Sequence, residues 1–317
     1  MTDLIIFTDL DGCLLDDATY QWDAAAPALH ALRRARIPLV LASSKTGAEM
    51  VPLAHDLGLA DRRRLREALI VENGGGVLMP HDWAPQPVPS VVRTNDGWMV
   101  ALGAPVPVLR DTLAEITREC GTATRGFSVM TDEEITALTG LNAEAVGLAR
   151  QREFDEPFVL GDGRGLLDTE TQPFEAAVTC LRQAAEERGC RITRGGRFLH
   201  LTSNTDKGQA ASLVLRWYAG KRCLEKGDRP LFAPHRPAKR GLSPFSRQPF
   251  PHLLSVALGD SPNDLSLLRL VDQPIIVPRP NGQPHPELRD ALPHATIAPH
   301  PGPAGWNHAV RDLLKRR

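Results

Sequence analysis

The sequence has almost no net charge, few cysteines and no long apolar run, and each absence removes a class of function. Lys and Arg number 37 against 38 Asp and Glu, a formal net charge of -1. No global field therefore draws the chain to nucleic acid or to an acidic membrane surface, and any charged partner must be met locally. The five cysteines (Cys13, Cys120, Cys180, Cys190, Cys223) are odd in number, widely spaced and without a CxxC pair. Neither a disulfide framework nor a zinc site is expected, and a reducing, cytoplasmic setting follows. No apolar run reaches the ~18 residues a membrane helix needs, and the opening MTDLIIFTDLDG has no basic segment leading into a cleavage-like stretch. The protein is expected to be neither membrane-spanning nor exported. The ten histidines show no HxxxH or HExxH spacing, and no internal repeat is present.

What is there is an alternating α/β grammar. With 317 residues, 42% of them apolar, the chain can bury a large core and is expected to form two domains. Aliphatic runs at Leu4–Phe7, Ile37–Ala42 and Ala68–Val71 alternate with helical stretches at Ala24–Arg36 and Thr46–Gly58. Runs that continuous belong to strands covered on both faces, so the spacing predicts βαβ units in a parallel sheet. The same grammar returns late: a helix from Asp206 to Tyr218, a strand Leu253–Leu258, a helix Ser261–Leu270, and strands Ile275–Val277 and Ala295–Ile297. Between them the texture changes, with Pro80 at one end and Gly195-Gly196 at the other. The expected division is 1–80 and 197–317 for a core domain and 81–196 for an insert.

Inside the insert, TDEE at 131–134 predicts a helix opened by a capping box. A second helix is expected over Asn142–Glu153, with Leu141, Ala145, Leu148 and Ala149 as its apolar stripe. Arg150, Arg152, Glu153, Asp155 and Glu156 then read as a salt-bridged helix end. Glu72-Asn73-Gly74-Gly75 reads as a turn demanding positive φ, and Ser43 or Ser44 as a cap on the helix that follows. The stretch 221–250 is rich in Pro and carries eight Lys or Arg against two acids, which predicts a solvated loop.

The chemistry concentrates where predicted strands end. The stretch FTDLDGCLLD places Asp9 and Asp11 two positions apart directly after a buried run, and such carboxylates repel unless a cation or a reaction uses them. In a parallel sheet the ligand crevice lies beyond the carboxyl ends of the strands. ASSKT (42–46), NTDKG (204–208) and GDSPND (259–264) fall at equivalent places. Asp9 and Asp260, with Asp264 as a third candidate, offer hard oxygen ligands that suit Mg²⁺, because no Cys or His accompanies them. The Ser43 hydroxyl, the Lys207 ammonium and the backbone N–H groups after Asp9 suit a phosphate. One carboxylate is then available to attack phosphorus and its neighbour to carry the proton.

This combination resembles the haloacid-dehalogenase-like phosphatases, whose four motifs are matched by DLDGC, Ser43, Lys207 and GDSPND. The resemblance implies Asp9 as nucleophile and Asp11 as general acid and base, also lending its backbone carbonyl to Mg²⁺. It implies Ser43 and Lys207 as the phosphate-orienting pair, and Asp260 as a metal ligand with Asp264 supporting that site. Where Cys13 stands the family usually has Thr. Further segments (DATYQWDAAAPAL, SSKTGAEM, VENGGGV, GFSVMTDEEITALTGL, RQREFDEPF, GGRFLHL and PGPAGWNHAV) are similar to the mannosyl-3-phosphoglycerate phosphatase branch of that family.

The implied fold is a Rossmann-like, doubly wound parallel sheet with an inserted α/β cap of the C2 type. The implied reaction is Mg²⁺-dependent removal of phosphate from mannosyl-3-phosphoglycerate through an aspartyl-phosphate, giving mannosylglycerate, a compatible solute. A phosphatase for glucosyl-3-phosphoglycerate or another sugar phosphate, a sugar phosphomutase, and a non-catalytic module binding phosphosugars or nucleic acid remain as alternatives. The expected partner is a small phosphorylated sugar-glycerate. Its carboxylate calls for a cation in the insert, for which Arg125, Arg152 and Arg197 are the candidates, since guanidinium meets carboxylate through two parallel hydrogen bonds.

Overall fold

The structure, a computed structural model, describes residues 3–61, 64–82, 91–161, 172–195, 198–225 and 253–316. The chain divides into two compact units, one comprising 1–41, 207–260 and 264–317, the other 42–206 with 261–263.

In the first unit, strands lie in the order Thr296–Ile297, Gln273–Ile276, Leu253–Gly259, Asp3–Thr8 and Leu39–Ala42, every adjacent pair parallel. The expected strands are thus present. Asp3–Thr8 is central, and Ile5, Ile6 and Phe7 have no exposure at all, as a strand covered on both faces requires. Its register pairs Thr8 with Leu258, and Asp9 N–H continues the ladder onto the Leu258 carbonyl at 2.9 Å. The two acidic segments, Asp9 and Gly259-Asp260, therefore leave the sheet side by side. The helix expected to close at Tyr218 runs Lys207–Glu225, so the first residues of the basic stretch are helical, and 226–250 lie outside the described residues.

The second unit carries an antiparallel four-stranded sheet in the order Cys190–Arg194, Leu199–Ser203, Asp155–Leu160, Thr124–Gly126. Side chains alternate across a strand. Accordingly Phe158 and Leu160 join a core with helices Val106–Cys120 and Gln172–Glu186, while Val159 packs with Phe127, Ile135 and Val146. Leu69–Val71, Gly76–Met79, Trp98–Ala101 and Val91–Arg93 form an antiparallel ladder that belongs to the same nine-stranded sheet as Leu39–Ala42.

Three local expectations change. The helix placed over Asn142–Glu153 spans only Ala143–Ala149, capped by the Asn142 side chain, and buries Val146 and Ala149. The acidic residues expected at its end instead open the fully buried strand Asp155–Leu160, because strand partners on both sides claim that segment. Ser43 and Ser44 do not cap the helix Gly47–Asp56; Thr46 does, in a capping box with Glu49. Cysteine pairing also differs: Cys120 and Cys180, 60 residues apart, form a disulfide. Cysteine spacing carried no sign of it, because the bond depends on two helices lying alongside each other. Among the described residues no helix is long and apolar enough to cross a membrane.

Candidate active site

Burial makes the acidic cluster of the first unit electrostatically unusual. Lys207 opens its helix with no exposure and donates through Nζ to Asp9 Oδ1 at 2.8 Å and to Asp264 Oδ1 at 2.7 Å. An ammonium at the first turn opposes the helix dipole, and these two carboxylates offset that cost. Burial alone would lower its pKa, yet Asp264 and Asp9 raise it above the ordinary lysine value. Asp264 Oδ2 accepts from the Asp260 backbone N–H at 3.1 Å, so one carboxylate braces both the lysine and the loop carrying Asp260.

Three acids share this single cation. Asp9, Asp260 and Asp264 each place a carboxylate oxygen within 4.8 Å of the others. Burial first, then the charge of Asp264, push Asp9 up to about 7, with Asp11 adding repulsion and Lys207 opposing. Asp260 is raised well above its ordinary value by burial and then by Asp9 and Asp264. Gly12, at φ +73°, permits the close approach that makes this cluster: a Cβ there would stand 2.8 Å from Asp260 Oδ2.

A divalent cation fits this set. The donors are all oxygen, three carboxylates exceed one ammonium by two charges, and Asp260 Oδ1 is buried with no hydrogen-bond partner among the described residues. A buried carboxylate oxygen left without a partner in a cluster of acids suits a cation.

Asp11 lies in the first unit, half-buried two residues after Asp9, where its backbone bridges to Leu15; the other expected site residues lie in the second unit or outside the described residues. Ser43 is buried; its hydroxyl accepts from Lys45 N–H at 3.2 Å, and its backbone bonds Ile70 O and Asn73 N–H. Arg125 donates to Glu134 at 2.7 Å, the same glutamate that completes the capping box at Thr131. Arg152 is largely buried, donating to Ser44 O at 3.0 Å and to Asp155 Oδ2 at 3.3 Å, with its guanidinium over the Phe127 ring. Arg197 lies outside the described residues.

The structure adds a polar network that the sequence did not assign. Asp155, with no exposure, accepts on Oδ2 from His200 Nδ1 at 2.8 Å and Asn73 Nδ2 at 3.1 Å as well as from Arg152. Asn73 Oδ1 accepts in turn from Asn263 Nδ2 at 3.1 Å, one residue before Asp264. Glu72 accepts backbone N–H bonds from Glu153 and Phe154, and burial pushes its carboxyl up to about 7 despite Arg152. Both Glu72 and Asn73 hold positive φ, so the expected turn is present. The segments ENGG and GGRFLHL had signalled the family without indicating these contacts.

The chain is similar to known proteins over nearly its whole length. No protein-family model matches the chain. A protein of Methanococcoides burtonii named glucosyl-3-phosphoglycerate/mannosyl-3-phosphoglycerate phosphatase is 33% identical over 310 residues, covering 98% of this chain and 97% of that protein. One of the same name from Persephonella marina is 32% identical, with the same coverage. Among solved structures, a sugar phosphatase of haloacid-dehalogenase subclass IIB superposes with a TM-score of 0.55 at 13% identity, covering 98% of each chain.

Proposed function

Because the chain belongs to the glucosyl-3-phosphoglycerate/mannosyl-3-phosphoglycerate phosphatase family, we propose that it hydrolyses the phosphate ester of mannosyl-3-phosphoglycerate with Asp9 as the attacking group. It is a phosphoric monoester hydrolase with a Rossmann-like, doubly wound core and a C2-type cap. The observation that carries the reading is the Lys207 ammonium clamped between Asp9 and Asp264 beside an orphaned Asp260 oxygen.

In the proposed reaction an Asp9 carboxylate oxygen attacks phosphorus and the ester P–O bond breaks. Asp11 gives its proton to the departing alcohol oxygen and leaves Asp9 phosphorylated. Asp11 then takes a proton from water, whose oxygen attacks the same phosphorus as the Asp9 O–P bond breaks, returning the Asp9 carboxylate and releasing phosphate. Lys207 fixes the Asp9 carboxylate and balances negative charge, while Ser43 is assigned to orient the phosphate. Asp9, Asp260, Asp264 and the Asp11 carbonyl would hold Mg²⁺, which supplies the positive charge that lets these acids ionise together and polarises the phosphoryl group.

The insert, 81–196, is assigned to substrate recognition. Arg125 pairs with Glu134 and Arg152 with Asp155 and Ser44 O, so both guanidiniums already hold partners; Arg152 is the one assigned to read the glycerate carboxylate. The relatives' names cover both glucosyl and mannosyl substrates, so the glucosyl ester is the second reading. We assign the reaction to the cytoplasm, where sugar-phosphate esters and a compatible-solute product belong.

The test is phosphate release and product mass from a panel of esters, with Mg²⁺ and with chelator. The mannosyl ester is expected to give the highest kcat/KM, and Asp9→Asn to abolish turnover. Turnover indifferent to chelator or to Asp9→Asn refutes the mechanism, and an isomeric product without free phosphate identifies a mutase.

A further inference from the structure

Trp306 has no part in the chemistry assigned above, yet it is completely buried and its one polar atom is committed to the residue before Asp9. Indole Nε1–H donates to Thr8 Oγ1 at 2.8 Å, and Thr8 Oγ1 lies 2.8 Å from the backbone carbonyl oxygen of Asp9. Chemistry fixes the polarity of this chain. Indole nitrogen can only donate, so the Thr8 oxygen accepts from Trp306 and its single proton is left for Asp9 O. Cys13 Sγ stands 3.7 Å from Thr8 Oγ1. A thiol is a weak competitor for the Thr8 proton.

The helix that presents the indole, Gly302–Lys315, is seated tightly on both sides of it. A Cβ on Gly305 would run into the His300 carbonyl, and Asn307 Oδ1 accepts the Ala28 N–H at 3.0 Å. Gly305, Trp306 and Asn307 each have a separate contact, and together they set the height of the indole against Thr8.

We propose that Trp306, acting through Thr8, is a positioning residue for Asp9. The Asp9 peptide is held from both ends, its N–H on Leu258 O and its carbonyl on the Thr8 hydroxyl, at the point where the strand leaves its ladder. Only the side-chain torsions remain to place the carboxylate against Lys207. Without the indole N–H, the Thr8 hydroxyl is free to rotate and the carbonyl loses its partner for part of the time. The loss falls on the chemical step, because Trp306 and Thr8 are assigned no contact with substrate. The inference rests on Asp9 as the attacking group.

The test compares Trp306→Phe, Thr8→Val, the double variant, Thr8→Ser and Val310→Ala, using the full chain at saturating Mg²⁺ and reading kcat, KM and Tm. Val310 is buried one turn further along the same helix and reports packing loss alone. Trp306→Phe and Thr8→Val are each expected to lower kcat about tenfold with KM unchanged, the scale of one lost buried hydrogen bond. The double variant should be no worse than Thr8→Val, because both changes break one relay. Thr8→Ser should keep kcat, and Val310→Ala should lower Tm with kcat intact. A Trp306→Phe enzyme with lowered Tm and wild-type kcat overturns the proposal, as does full activity in Thr8→Val or an additive double variant. If Asp9→Asn retains turnover, the assignment of Asp9 fails and this inference with it; loss in Asp9→Asn alongside a silent Trp306→Phe overturns only the positioning role.

Discussion

Removing one acid from the buried cluster is expected to make the metal-free protein more stable while abolishing its response to Mg²⁺. Asp260→Asn keeps the shape of the side chain and deletes its charge. Carboxylate oxygens 4.8 Å apart repel by roughly 3 kcal/mol at an effective dielectric of about 20. Asp260 faces two such neighbours, and the attraction of Lys207 cancels about one of them. One repulsion is left, which the wild-type protein reduces by keeping a proton on the cluster.

A gain of about 1–3 kcal/mol in chelator is therefore expected, which is several degrees in Tm at about 2–4 °C per kcal/mol. The gain should depend on pH. Asp260 has its folded pKa raised above the ordinary value of 3.8, so the folded protein binds the extra proton. Wild-type stability from this group is complete below the unfolded pKa and is lost as pH rises through the folded one. The variant's advantage should accordingly be absent near pH 4 and largest at alkaline pH.

Thermal unfolding in chelator and in excess Mg²⁺, across that pH range, reads both effects. At about a hundredfold excess over Kd the wild type should gain about 2.7 kcal/mol from the ion and the variant almost none. A variant less stable than wild type in chelator, or one that keeps the full Mg²⁺ shift, refutes the electrostatic reasoning.

Three further outcomes are expected. Reducing the Cys120–Cys180 bond removes a 60-residue loop constraint, worth about 4 kcal/mol by loop-closure entropy; Cys120→Ser should lower the unfolding midpoint of the unit that holds it, and an unchanged midpoint counts against the pairing. Glu72, raised to about 7 by burial, makes wild-type stability fall as pH climbs through 7, a slope that Glu72→Gln should flatten in urea titrations; equal slopes reject that origin. Arg152→Lys should raise KM for mannosyl-3-phosphoglycerate by at least about tenfold, through loss of two-point carboxylate binding, and leave KM for a phosphate ester lacking a carboxylate unchanged; parallel changes in both substrates remove Arg152 from carboxylate recognition.

The core of the site was legible because its signals are local. An apolar run ending in DLDG, a lysine opening a helix and GDSPND after a strand each announce themselves within ten residues, and the structure brings Asp9, Lys207, Asp260 and Asp264 together. Asp155 was misread because Arg152 and Asp155 are spaced as a helical ion pair, whereas the neighbouring strands at Leu199–Ser203 and Thr124–Gly126 decide the conformation. His200 has only Thr202 and Ser203 as polar neighbours within its own strand, and its bond to Asp155 spans 45 residues. Trp306 read as family signature alone, since its partner is 298 residues away. Long-range partners left no mark that spacing could reveal.

The turn at 72–75 has a consequence for anyone recombining this enzyme with its relatives. Its buried side chains grip residues 153–155, within the same compact unit, so a chimaera cut at Pro80 would separate host and guest across those bonds. Glu72 and Asn73 would face a foreign strand, with a carboxylate and an amide stranded in the interior. The natural graft is longer than the proposed insert of 81–196: it carries ENGG along with RQREFDEPF, and the pair should be inherited or exchanged as one piece.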